Sequence, residues 1–277
     1  MLIAVLAGGL MAAPAQARQM TSVGMVALPP ADIVVLGEVH DNPKHHRNQA
    51  RAIRALHPRA VVFEMLTPEQ AEIVNRSGLK GDELAQAIGW ADSGWPDFAL
   101  YAPVFAALGD ARVYGAAVPD AAIRQAMSGD LAGAFGVDAA GYGLTVPLPA
   151  EEESVREAGQ QEAHCNALPD DMLPGMVAAQ RLRDAAFART AAQAFADVGR
   201  SVIVITGSGH ARTDWGIPGV LSLADPDLLV LSVGQIERGG VPAIPPFDLW
   251  LVTAPVPRDD PCAGFRAAPA ESSDGGG

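Results

Sequence analysis

The chain has 277 residues, long enough for one large domain with a sizeable core, and a 49% hydrophobic content that excludes disorder of the whole chain. A formal net charge of -13, a pI near 4.8 and the lack of any Lys/Arg-rich run exclude nucleic acid and an anionic membrane surface as partners, since both require basic patches. The two cysteines form neither CxxC nor CxxCH, which removes zinc-ribbon and c-type haem attachment.

In chain order, residues 1–17 read as a secretory signal peptide. An apolar run from Leu2 to Ala13 ends in the small-x-small tripeptide Ala15-Gln16-Ala17, and the run is too short to span a bilayer. A periplasmic protein with no transmembrane segment is the expectation. "DIVVLG" (32–37) is a short, continuously apolar, β-branched run of the kind covered on both faces in a parallel sheet. "RAVVFEM" (59–65), "ARVYGAA" (111–117), "SVIVITGSG" (201–209), "DLLVLSVG" (227–234) and "DLWLVTAP" (248–255) repeat it. Between the first two, Asn42 caps a helix, Pro43 occupies its first position, and Ala50, Ile53 and Leu56 give it an apolar stripe. The alternation predicts an α/β fold with a mostly parallel central sheet flanked by helices, as a single domain over 18–255. Residues 119–172 read as a helical excursion capping the carboxyl edge of the strands. A long helix from about Pro174 to Val198 follows, and the Pro/Ala/Gly-rich 256–277 reads as a disordered tail. In an oxidising compartment, Cys165 and Cys262 are expected to form a disulfide that pins the C-terminal segment.

The polar residues fall where the strands end. Glu38 and His40 follow the first strand, Glu64 follows the second, and His210 follows the fourth through "TGSGH". In a parallel sheet these carboxyl ends share one edge, where ligand crevices form. His45 and His46 fall in the first turn of the capped helix, where the dipole disfavours imidazolium; the alternative is a solvated helix face. On the long helix Gln180 and Asp184 interrupt the apolar stripe Leu173, Val177, Phe187, Ala191, Phe195, with Arg183 beside them. Buried there, they must face partners or a site. Glu162 and His164 lie just upstream. "GSGH" matches neither GxGxxG nor GxSxG, so a dinucleotide and a serine nucleophile are both disfavoured.

Four stretches together, "LGEVHDNPKHHRNQ", "VVFEML", "AHCNALPDDMLPGMVAAQRLRDAAFA" and "ITGSGHARTDWGIP", resemble the ChaN-like haem-binding uptake family of the Tiki/TraB/erythromycin-esterase superfamily. The resemblance implies an α/β sheet with a strand-end Glu/His site, haem as the ligand, a periplasmic or outer-membrane-associated place in iron acquisition, and pairs of subunits stacking two haems. It also implies a tyrosine on the haem iron. Of Tyr101, Tyr114 and Tyr142, Tyr101 in "FALYAPVF" is the first candidate, with His45, His46 and His164 as further haem-binding residues. The lipoprotein cysteine common in that branch is missing here. The alternative is a hydrolase. The Tiki branch implies a divalent metal on Glu38, His40, Glu64 and His210, including the GxxH stretch from Gly207 to His210. The erythromycin-esterase branch implies His40 as general base, oriented by Glu38 or Glu64, with His210 or Arg183 stabilising developing negative charge.

Overall fold

The computed structural model of the chain describes residues 17–260 and 262–263. The predicted signal segment, all but its last residue, and the tail beyond residue 263 lie outside the described residues. β1 (Arg18–Met20) is a short strand that periodicity did not mark. β2 (Ile33–Glu38), β3 (Ala60–Phe63), β4 (Arg112–Gly115), β5 (Val202–Gly207), β6 (Val230–Glu237) and β7 (Leu249–Thr253) lie within or close to the six apolar runs. They form one sheet in the order β1-β7-β6-β2-β5-β3-β4, with every described pairing parallel. Every residue of β2, β3 and β5 is buried, which explains why these runs are apolar throughout rather than alternating.

Side chains still alternate between two cores. Val34, Leu36, Val61, Phe63, Ile203 and Ile205 point to one face, covered by α1 (Pro43–Leu56) and α4 (Phe98–Phe105). Ile33, Val35, Ala60, Val62, Val202 and Val204 point to the other, covered by α8 (Leu173–Val198) and α9 (Ile217–Ala224). α8 lies close to the sheet because the residues it buries are largely alanines, among them Ala188, Ala191 and Ala194.

The predicted excursion supplies α5 (Asp120–Met127), α6 (Leu131–Phe135) and α7 (Ala150–Ala163). α5 and α6 bury Ala126 and Phe135 against Leu182 and Ala185 of α8, in a small core of their own. Two further helices, α2 (Pro68–Ser77), with a complete capping box between Thr67 and Gln70, and α3 (Gly81–Ala87), precede α4. Cys165, just past α7, is bonded to Cys262, with Cα atoms 5.5 Å apart. The segment after β7 is held by Arg258, which donates to Asp41 and Glu237.

One feature of the topology positions everything polar. β5, reached through the excursion and α8, inserts between β2 and β3. Its register sets Glu38 opposite Gly207 and Phe63 opposite Ile205. The ends of three strands that are distant in sequence thereby become neighbours.

Candidate functional site

A cavity of about 610 Å³ opens at the carboxyl ends of β2, β3 and β5, lined by His40, Glu64, Gln180, Arg183 and His210 among others. Its apolar wall is Met65, Trp95, Val118 and Phe187. The first turn of α5 reaches it through Asp120 and Ile123, and the start of α2 through Thr67 and Gln70. Clefts of about 550 and 650 Å³ around residues 108–112 lie at the amino ends of β3 and β4, the edge away from Glu38, Glu64 and His210.

Glu38, 2% exposed at the end of β2, is the hub beneath the cavity. Its Oε1 accepts from the Tyr101 hydroxyl at 2.6 Å and from His40 Nδ1 at 2.9 Å, and its Oε2 accepts from Gln49 Nε2 at 2.7 Å. Burial alone would raise the carboxyl's pKa. The hydrogen bonds and charge of His40 and His46 outweigh it and bring the value down to about 2. Glu38 is therefore an anion at neutral pH. His40, its Nδ1 committed to Glu38, turns Nε2 toward Glu64 Oε1, 3.5 Å away, and its ring meets Trp95 edge-on at 4.9 Å. Burial lowers the His40 pKa, but Glu38 and Glu64 together leave it raised. Gly207 makes room for the ring, since a Cβ there would lie 2.9 Å from His40 Nε2. Glu64 is held in turn by the Thr206 hydroxyl and, at 2.9 Å, by the Gly207 backbone N–H.

A second carboxylate-backed imidazole lines the same cavity. His210 Nδ1 donates to Asp184 Oδ1 at 2.6 Å, the side-chain amide of Gln180 lies 3.0 Å from the same nitrogen, and Phe187 packs edge-on to the ring. Burial lowers the His210 pKa, and the Asp184 charge and hydrogen bond reverse that, so the pair holds its proton above the usual histidine range. With Nδ1 facing a carboxylate, the neutral ring presents its Nε2 lone pair, the arrangement by which carboxylates orient metal-binding histidines. Arg183, half-buried on the cavity wall, has no hydrogen-bond or ion-pair partner among the described residues.

The structure thus brings Glu38, His40, Glu64, Gln180, Arg183, Asp184 and His210 to one edge, and it places the other residues singled out in the sequence elsewhere. Tyr101 is fully buried below the cavity, its hydroxyl given to Glu38. Burial and the Glu38 charge push its pKa far above the tyrosine range. His45 accepts from the Val39 backbone N–H at Nδ1 and donates from Nε2 to Thr253, both at 2.8 Å, so it buttresses the turn into α1. His46 donates from Nε2 to the His40 carbonyl at 2.8 Å, and its Nδ1 lies 3.3 Å from Glu38 Oε2. His164 ends α7 with Nδ1 donating to the Gln160 carbonyl, and it does not line the cavity. The metal alternative meets no preformed ligand set: among the described residues no group of three or more His, Cys, Asp or Glu side chains is arranged to hold an ion. The carboxylates are already spent: Glu38 accepts from Tyr101, His40 and Gln49 beneath the cavity, and one oxygen of Glu64 accepts from Thr206 and Gly207.

Sequence reasoning missed Trp95, Gln49 and Thr206. Gln49 was within reach, being three residues after His46 on the same helix face. Trp95 sits in an irregular segment, "SGWP", with no periodicity to orient it.

A polar cavity at the carboxyl edge of a parallel sheet, with two carboxylate-backed imidazoles and an arginine without a hydrogen-bond or ion-pair partner among the described residues, has the form of a ligand site of the α/β class. Residues 25–221 match the family described as haem-binding uptake, Tiki superfamily, ChaN, and the chain belongs to that family. Among solved structures it is similar to "Cofacial heme binding to ChaN of Campylobacter jejuni", at 21% identity and a TM-score of 0.62, covering 81% of this chain and 89% of that one. A mutant erythromycin esterase EreC in its open conformation is a more distant likeness, at 11% identity and a TM-score of 0.41, covering 78% and 74%. The type III effector HopBA1 gives 14% identity and 0.38, covering 80% and 88%. No curated protein matches the chain.

Proposed function

We propose that the protein binds haem in the cavity at the sheet's carboxyl edge and serves haem or iron uptake in the periplasm. The observation that carries the reading is the donor set of that cavity: imidazoles with one nitrogen anchored on a carboxylate, beside an arginine that lacks a partner among the described residues. Imidazole is a ligand for haem iron, a guanidinium suits a propionate, and Trp95, Met65 and Phe187 offer an apolar wall. These residues fit the group the family implies. When bound, haem supplies the iron centre and its redox chemistry. The chain's own residues hold it, neutralise its carboxylates and limit its contact with water. The Cys165–Cys262 disulfide supports an oxidising compartment, and no helix among the described residues is long and apolar enough to cross a membrane. The resemblance adds pairing of two subunits to this reading.

Haemin titrated into the purified protein should give a saturable shift of the Soret band at one equivalent per chain. A linear, unsaturated response would reject haem binding and return attention to hydrolysis by the same Glu38, His40, Glu64 and His210 group.

Acid should weaken the fold through His45. Desolvation lowers its pKa to about 4, with Glu38 and Glu237 opposing and His46 and Arg258 adding to the fall. A histidine depressed from 6.5 binds its proton more readily in the unfolded chain. Its contribution is therefore complete above pH 6.5 and is lost as pH falls toward 4, by about 3 kcal/mol. Urea denaturation from pH 7.5 to 4 should show this slope in the native sequence and a flatter one in His45→Gln. Equal slopes would refute the assignment.

A further inference from the structure

We infer that His210, rather than a tyrosine, holds the haem iron in this chain, with Asp184 fixing its ring and Arg183 pairing with a carboxylate at the edge of the macrocycle. The inference rests on the haem-binding reading and narrows it to named atoms.

The tyrosines are placed against the role. Tyr101 lies wholly inside the protein with its hydroxyl on Glu38. Tyr114 donates to Asp197 at the far end of α8, and Tyr142 packs on Phe135 in the small core under the excursion. None of the three lines the cavity. Bringing Tyr101 to the cavity would strip a buried carboxylate of a donor and move α4, which packs through Phe98 and Phe105 against Trp90 and Phe63.

Of the six histidines only His40 and His210 line the cavity. His40 directs Nε2 inward, between Glu64 and the end of β5. His210 differs: its Nδ1 is tied to Asp184, and its Nε2 has no partner among the described residues. Asp184 is fully buried and its Oδ2 has no hydrogen-bond partner among the described residues, so this carboxylate depends on His210 for compensation and holds the ring in turn. Such an anchor keeps Nδ1 protonated, aims the other lone pair and raises its basicity. Arg183 and His210 both line this cavity, so a guanidinium and the imidazole that Asp184 orients are available to one ligand there.

The test uses the full, disulfide-intact chain loaded with haem. Resonance Raman and electron paramagnetic resonance spectra of the native sequence should show imidazole ligation and no iron–phenolate vibration. His210→Ala should weaken haemin binding at least tenfold and change the Soret band, with added imidazole restoring it. Asp184→Asn should keep haem while lowering the ferrous iron–histidine stretching frequency, a change that a merely structural carboxylate would not produce. Arg183→Ala should weaken haemin severalfold yet leave the affinity for haem dimethyl ester unchanged, because the ester offers no carboxylate. A phenolate signature in the native protein overturns the inference and leaves haem binding standing. Imidazole ligation that survives unchanged in His210→Ala overturns it in favour of another histidine. If His210→Ala does not fold, the native spectrum and Asp184→Asn decide. Absence of saturable haemin binding overturns the functional reading itself.

Discussion

Replacing Glu38 with Ala should lower the free energy of unfolding by about 3–5 kcal/mol, the range for breaking a buried charge network by removing one partner. Glu38 is where the networks under the cavity meet. Its two oxygens accept from Tyr101, His40 and Gln49, and His46 lies beside Oε2. Alanine leaves the fully buried Tyr101 and Gln49 donors without their acceptor, and each orphaned buried group costs about 1–3 kcal/mol. Tyr101→Phe removes one donor alone and should cost less, about 1 kcal/mol. Because both changes touch one hydrogen bond, their effects should not add. The double variant should come out more stable than the sum of the singles predicts, and a urea-denaturation double-mutant cycle measures the coupling. A loss under about 1 kcal/mol in Glu38→Ala would mean that the carboxylate is replaceable by water, contrary to its burial. The second expected readout is at His40, whose Nδ1 loses its anchor. Its nuclear magnetic resonance titration should move down, since the Glu38 hydrogen bond and charge are among the influences that hold it up.

Much of this architecture was legible because burial writes itself into composition. Strands covered on both faces must be apolar at every position, and β2, β3 and β5 are. Strand ends must carry the polar residues, since the interior has no place for them, so Glu38, His40, Glu64 and His210 stood out before any fold was known. What the sequence could not supply was adjacency. Nothing local in "SVIVITGSG" says that β5 lies between β2 and β3, yet that insertion alone sets Gly207 against His40 and Thr206 against Glu64.

Partners distant in the chain were hidden for the same reason. His45 answers to Thr253, 208 residues later, and without that contact its two nitrogens looked free to bind a ligand. The position of Tyr101 was hidden on different grounds. "FALYAPVF" is apolar almost all round, so no stripe tells which side of α4 faces the site, and the tyrosine points to the buried underside of Glu38. Gln180 and Asp184 were easier: a polar interruption in the stripe of a long helix demands a partner, and His210 is that partner.

The disulfide carries an effect of similar size through a different route. Cys165 and Cys262 are 97 residues apart, so the bond closes a loop whose entropy in the unfolded chain is worth about 4–5 kcal/mol at room temperature. In the folded protein it ties the end of α7 to the segment beyond β7. Arg258, with Asp41 and Glu237, holds the same segment through ion pairs. All three of those side chains are partly solvated, and exposed ion pairs contribute about 0–1 kcal/mol each, too little to replace the covalent tie. Two consequences separate the local effect from the global one. The Cys165→Ser/Cys262→Ser protein should unfold at a urea midpoint lower by the equivalent of about 4–5 kcal/mol, while Arg258→Ala should lose about 1 kcal/mol or less. Amide exchange should also quicken around Val256, whose N–H is bonded to Glu237, in the double serine variant, and hardly at all in the strands of the central sheet. An unchanged midpoint would show that the unfolded chain is already confined without the bond. A large loss in Arg258→Ala would instead make the ion pairs, rather than the disulfide, the anchor of the C-terminal segment.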